Sequence, residues 1–164
     1  MTEIQTIEAS DVQQLGKNLR AAAMNLLARR EHSRQELERK LHGKLAPDPV
    51  QLGAVLDRLE QDGLLSDSRY AEAFCNARMR VGKGPVRIRA ELRERGVVED
   101  LVDCVLREID VDWVMRAQDV LQKRFGSAVS ADQRATAQRM RFLQYRGFTS
   151  EQIRAALKSV ASLD

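Results

Sequence analysis

Apolar residues recur at helical spacing along this chain. Ile88 and Leu92 stand four apart, Tyr70, Phe74 and Ala77 form a second stripe, and Val98, Leu101, Val105 and Ile109 a third. Such spacing places each set on one face of a helix, and packed core is a better reading of these stripes than a cofactor site. Valine and isoleucine occur but do not alternate with polar residues as a half-buried strand requires. The punctuation agrees. Ser33 with Glu36, Ser130 with Gln133 and Thr149 with Gln152 have capping-box spacing. Pro49 and Pro85 suit the first turn of a helix, where the missing N–H costs nothing. Gly63, Gly96 and Gly147 each close a helical pattern and are followed by Leu64, Val97 and Phe148, the form of a glycine cap with its apolar contact.

These marks predict about nine helices, over Val12–Arg30, Ser33–His42, Pro49–Asp62, Asp67–Val81, Pro85–Arg95, Val98–Ile109, Asp112–Phe125, Asp132–Arg146 and Ser150–Val160. They fall into three groups of three. The middle helices align as Glu36-Leu37-Glu38-Arg39-Lys40-Leu41, Glu91-Leu92-Arg93-Glu94-Arg95-Gly96 and Phe142-Leu143-Gln144-Tyr145-Arg146-Gly147, each with Leu second and a basic residue fifth. The third helices align through Val55-Leu56…Leu59, Val105-Leu106…Ile109 and Ala156-Leu157…Val160. A period of roughly 50 residues points to tandem supersecondary units. The expected fold is all-α: three tandem three-helix repeats, elongated and curved, over residues 12–65, 66–111 and 112–164, after a flexible, frayed segment over residues 1–11. Trp113 is expected to anchor packing between units.

Composition adds a constraint. The chain is 43% hydrophobic and 31% charged but only 4% aromatic, which suits thin cores beneath large solvated faces. A net charge of +3 permits contact with nucleic acid or an acidic partner without demanding either. Cys75 and Cys104 sit among apolar neighbours and read as buried thiols. The polar, acidic start does not resemble a signal peptide, and no apolar run is long enough to span a membrane, so a cytoplasmic location is expected.

Chemistry is hard to find. His32 and His42 flank a short helix and are expected to be solvated; with the two cysteines they lack zinc-ligand spacing. Val81-Gly82-Lys83-Gly84-Pro85 lacks the spacing and preceding strand of a phosphate-binding loop and reads as a flexible connection. No convergent polar constellation stands out, so neither an enzyme, nor a metal site, nor a cofactor is expected.

Charge distribution is more informative. Arg78, Arg80, Lys83, Arg87, Arg89, Arg93 and Arg95 face only Glu91 and Glu94 in the same stretch, whereas Glu99 to Asp112 carries six carboxylates against Arg107. With Ile88 and Leu92 inward, Arg89 and Arg93 share an outward flank without an i±4 carboxylate, while Arg87 and Arg95 reach Glu91. The stretch from Arg134 to Arg146 holds four arginines, Arg139 and Arg141 among them, and no carboxylate. Candidate partner-binding residues are therefore Arg78, Lys83, Arg87, Arg89, Arg93, Arg139 and Arg141, forming ridges for phosphates or an acidic protein surface.

Gly63-Leu64-Leu65-Ser66-Asp67-Ser68-Arg69-Tyr70-Ala71, then Phe74 and Arg78, then Gly82-Lys83-Gly84-Pro85-Val86-Arg87-Ile88, then Glu91-Leu92-Arg93-Glu94-Arg95-Gly96-Val97, resemble the RecX family of bacterial recombinase regulators. Leu27-Ala28-Arg29-Arg30-Glu31-His32-Ser33-Arg34-Gln35-Glu36-Leu37 in the first unit and Phe142 to Phe148 in the third extend the likeness across about residues 18–160; Ser66-Asp67 is less acidic than the family pattern. The resemblance implies a protein that binds the RecA filament in its groove and limits recombinase, ATPase and co-protease activities by blocking extension or promoting disassembly; the basic ridges would then meet acidic RecA surface, DNA held in the filament, or both, and a monomer is expected. The competing reading is a direct DNA-binding, helix-turn-helix-like protein, against which the shortage of aromatics for base stacking counts mildly.

Overall fold

The computed structural model describes residues 9–126 and 132–161. Among these residues the regular structure is entirely helical: α1 (Ala9–Leu27), α2 (Arg34–Leu45), α3 (Pro49–Gln61), α4 (Asp67–Arg80), α5 (Pro85–Glu94), α6 (Glu99–Glu108), α7 (Trp113–Phe125), α8 (Gln133–Arg146) and α9 (Ser150–Ala161). The chain is thus an all-α array of tandem three-helix repeats. Most of the frayed segment expected before Val12 lies outside the described residues, but α1 already begins at Ala9.

Two compact units emerge. Residues 9–70 with Arg95–Val97 form unit 1; Ala71–Glu94 with residues 98–126 and 132–161 form unit 2. In unit 1, α1, α2 and α3 pack mutually around a leucine-dominated core that includes the fully buried Leu19, Leu37, Leu41, Leu56 and Leu59. Each such leucine contributes about 1.5–3 kcal/mol by leaving water. Polar groups close the ends. Ser33 Oγ accepts from Glu36 N–H (3.1 Å) and donates to Arg95 C=O (2.7 Å), while Asp67 Oδ1 accepts from Arg34 N–H (2.7 Å). The carboxylate of the Ser66-Asp67 pair therefore serves the start of α2.

Helix α2 runs past the expected stop at His42 and ends at Ala46, a non-glycine residue with φ 43° whose N–H donates to His42 C=O (2.9 Å). Gly43 is simply carried inside the helix. His32 is not solvated as expected; it is 2% exposed. Its ring nitrogens lie 3.0 Å from Arg30 C=O and 3.0 Å from Lys40 Nζ, so the peptide and ammonium replace water. Burial, followed by the charges of Arg30 and Lys40, lowers its pKa below the usual histidine value. His42 is exposed.

In unit 2, α7, α8 and α9 pack mutually around Ala117, Leu121, Leu143, Phe148, Ile153 and Ala156, with Trp113 half-buried against this core. Phe125 and Phe142 meet edge to face with centroids 5.3 Å apart. Helices α5 and α6 pack together, burying Ile88, Leu92, Val102 and Val105. Two stripes shift from the expected phase. Ala77 is exposed, and α4 buries Ala71, Cys75 and Met79 instead, with Tyr70. Val98 is also exposed, because it is the residue before α6 begins rather than part of its inner face. Burial pushes the Cys75 thiol up to about 11, leaving it inert. Cys104 is half-exposed, not buried; its Sγ lies 3.3 Å from Glu108 Oε1, a hydrogen bond that raises its pKa.

The caps carry their own corrections. Thr149 and Gln152 complete a reciprocal capping box, with Thr149 N–H donating to Gln152 Oε1 (2.9 Å) and Gln152 N–H to Thr149 Oγ1 (3.2 Å). Ser130 lies outside the described residues, and Asp132 caps α8 by accepting from Arg134 N–H (3.1 Å). Glu36 does not reach back to its own cap; it pairs with Arg30 (2.7 Å), which lowers its pKa.

A main-chain clasp fixes the start of α5 in unit 2. Gly84 N–H donates to Arg146 C=O (2.9 Å) and Val86 N–H to Gly147 C=O (3.0 Å). These bonds satisfy donors at the first turn of α5 and an acceptor at the end of α8, which a helix cannot satisfy for itself.

Candidate partner-binding surface

Helix α5 projects its arginines toward carboxylates that local spacing does not reveal. Arg89 is bound by both Glu99 (2.6 Å) and Asp103 of α6, and Arg93 Nε lies 3.0 Å from Glu99. The absence of an i±4 partner thus does not leave these arginines unmatched: residues ten and fourteen positions downstream of Arg89 supply the charge. The hydrogen bonds that Arg89 donates to Glu99 and then to Asp103 raise its pKa further above its ordinary value. Arg89→Ala is expected to destabilise the chain by about 1 kcal/mol, the scale of a half-exposed network. Urea unfolding monitored by far-ultraviolet circular dichroism checks this.

Arg78 and Arg87 converge on one carboxylate. Glu91 is buried, with Oε2 2.6 Å from Arg78 Nε and Oε1 accepting from Arg87 Nε at 2.8 Å. The Arg78 guanidinium also lies 4.8 Å from the Phe74 ring centroid. Four of the seven candidate residues, Arg78, Arg87, Arg89 and Arg93, are thus engaged in ion pairs within unit 2. Of the others, Lys83 Nζ lies 5.8 Å from the Tyr145 ring centroid, Arg139 lies 5.7 Å from that of Phe125, and Arg141 is exposed.

Lys83, together with cations outside the candidate set, surrounds a cleft of about 280 Å³ in unit 2. Its walls carry Arg80, Lys83, Arg116, Lys123, Arg124 and Arg146, and Asp119 as the one carboxylate. Arg116, Lys123 and Arg124 recur at i, i+7 and i+8, the spacing of one helix face, and that is the signal by which the sequence could have found them. Arg146 Nη1 donates to Val81 C=O (2.6 Å) and its guanidinium lies 5.0 Å from the Phe142 centroid. Among the described residues no group of His, Cys, Asp and Glu has the makings of a metal site, and no helix is long and apolar enough to cross a membrane.

Comparison with known proteins gives the chain its relatives. The first, second and third three-helix domains of RecX match at residues 20–59, 66–106 and 110–157. The chain is 48% identical over 138 residues to the regulatory protein RecX of Halorhodospira halophila, covering 84% of this chain and 85% of the relative. It is 49% identical over 135 residues to that of Pseudomonas fluorescens, covering 82% and 86%. The crystal structure of RecX from Lactobacillus salivarius superposes with a TM-score of 0.77 at 21% identity, covering 89% of this chain and 96% of that one. A second crystal structure of regulatory protein RecX gives 0.69 at 18% identity, covering 97% and 81%. With all three domain types present in order and near-half identity to relatives of similar length, the chain belongs to the RecX family of regulatory proteins.

Proposed function

We propose that this regulatory protein acts in the cytoplasm by binding the RecA filament and limiting its recombinase, ATPase and co-protease activities, through blocked extension or promoted disassembly. The observation that carries the reading is the tandem order of three RecX three-helix domains, each matched separately. In this reading the repeats span residues 12–65, 66–111 and 112–164, the chain acts as a monomer without a cofactor, and it is not an enzyme. Lys83, Arg139 and Arg141 contribute cations to the contact. Arg89 and Arg93 contribute by exchanging half-exposed intramolecular pairs for partner carboxylates or for phosphates of DNA held in the filament, an exchange of low cost because such pairs are weak; Arg78 and Arg87 contribute while keeping the buried Glu91 between them as their countercharge. Added in substoichiometric amounts, the chain is expected to slow ATP hydrolysis by RecA on single-stranded DNA. Undiminished hydrolysis at every ratio would sink the proposal.

Direct DNA binding is favoured by one observation. Tyr145 is 74% exposed with Lys83 beside its ring, a pairing suited to a stacked base and its phosphate. That reading requires salt-sensitive binding of DNA in the absence of RecA.

A further inference from the structure

The cleft in unit 2 combines two properties that the arginines of α5 lack. Its charge is mostly unmatched: Asp119 is the one carboxylate in its lining, and among the described residues none of Arg80, Lys83, Arg116, Lys123 and Arg124 forms an ion pair within 4 Å. Part of its lining is apolar in composition: the buried Met79 and Phe148 and the half-buried Trp113, Val120 and Phe142 contribute to it. Several cations around one opening repel one another, and an anionic occupant relieves that repulsion.

The geometry narrows the occupant. Arg116 and Lys123 are two helical turns apart, about 10 Å along α7. A single small anion does not bridge that distance, whereas successive side chains of a peptide do. A purely charged ligand would leave the apolar lining wet, so the matching ligand also brings an apolar group.

We propose that this cleft binds an acidic segment of a protein partner, with one bulky apolar side chain seated between flanking carboxylates. The site stands independently of the RecA reading, because it is tested with no RecA present.

Trp113 is the only tryptophan of the chain and lines the cleft, so its fluorescence reports occupancy directly. The full chain is titrated with a synthetic oligoglutamate peptide carrying one central phenylalanine, with the same peptide carrying serine there, and with oligothymidylate. Saturable change in Trp113 emission is expected with the phenylalanine peptide. Binding is expected to weaken roughly tenfold or more when serine replaces the phenylalanine, and by a similar factor in an Arg116→Glu/Lys123→Glu variant. Both positions are exposed on α7, and circular dichroism checks the fold. If the reversed variant unfolds, Arg116→Gln/Lys123→Gln is expected to show the same loss in reduced form. No saturable change, equal binding of the serine peptide, or undiminished binding by the charge variants would each overturn the proposal. So would oligothymidylate acting at lower concentration than the peptide, which would make the cleft a nucleic-acid site.

Discussion

Gly147→Ala is expected to destabilise the chain by about 3 kcal/mol. Two costs combine. Gly147 has φ +88°, where a side chain costs about 1 kcal/mol. There it ends α8, its N–H donating to Gln144 C=O (2.9 Å) and the N–H of Phe148 donating to Leu143 C=O (3.2 Å). A Cβ at this position would also lie 2.3 Å from Arg87 Cβ and 2.5 Å from Arg87 N. The latter is main chain in the first turn of α5, so no rotamer change relieves the overlap, and the clasp through Val86 must open. Gly63→Ala supplies the control: φ is +69°, but no atom lies within 4 Å of the new Cβ, so only the conformational cost of about 1 kcal/mol is expected. Thermal melts followed by circular dichroism separate the two, the Gly147 variant melting roughly 6–12 °C lower than the parent. Equal losses at the two sites would show that the clasp adds nothing.

Glu91→Ala is expected to cost about 2 kcal/mol, more than any exposed ion pair of the chain. The carboxylate is buried and serves two guanidinium groups, Arg78 at 2.6 Å and Arg87 at 2.8 Å. Removing it leaves the partly buried Arg78 beside Phe74 without this countercharge, whereas Arg87 is exposed enough to regain water. Arg87→Ala is accordingly expected to cost far less than Glu91→Ala. Urea unfolding of the two variants measures the asymmetry; a Glu91 loss no greater than that of Arg87 would mean that burial adds nothing to this pair.

Much of the fold is legible because the helices are short and strongly punctuated. Pro49, Pro85, Thr149 with Gln152 and the glycines after α3, α5 and α8 mark boundaries that the structure keeps. Errors arise where tertiary contact overrides local pattern. Gly43 does not stop α2, and the phase of α4 turns far enough to expose Ala77, though Cys75 is buried as expected. His32 is buried by neighbours that include Lys40, eight residues away.

The charged surface is less legible, for a geometric reason. Counting residues three and four apart finds Arg87 with Glu91 but cannot find Arg89 with Asp103, or Arg78 with Glu91 across two helices. The same limit hides the cleft, whose cations come from α4, the connection after it, α7 and α8. No linear window contains them. What distinguishes them from the α5 arginines is that, among the described residues, no carboxylate comes within ion-pair distance of them, although Asp119 lines the same cleft, and that is a property of packing.

Ser33 hydrogen-bonds to Arg95, and Arg95–Val97 belongs to unit 1 although residues 71–94 belong to unit 2. This has a consequence for biosynthesis. As the chain leaves the ribosome, α1, α2 and α3 appear first, but the Ser33 hydroxyl lacks its acceptor until Arg95 follows. At ordinary elongation rates that interval lasts roughly two to seven seconds. The first unit must persist incomplete while α4 and α5 are made, so its leucine core alone has to hold it against unfolding or capture by chaperones.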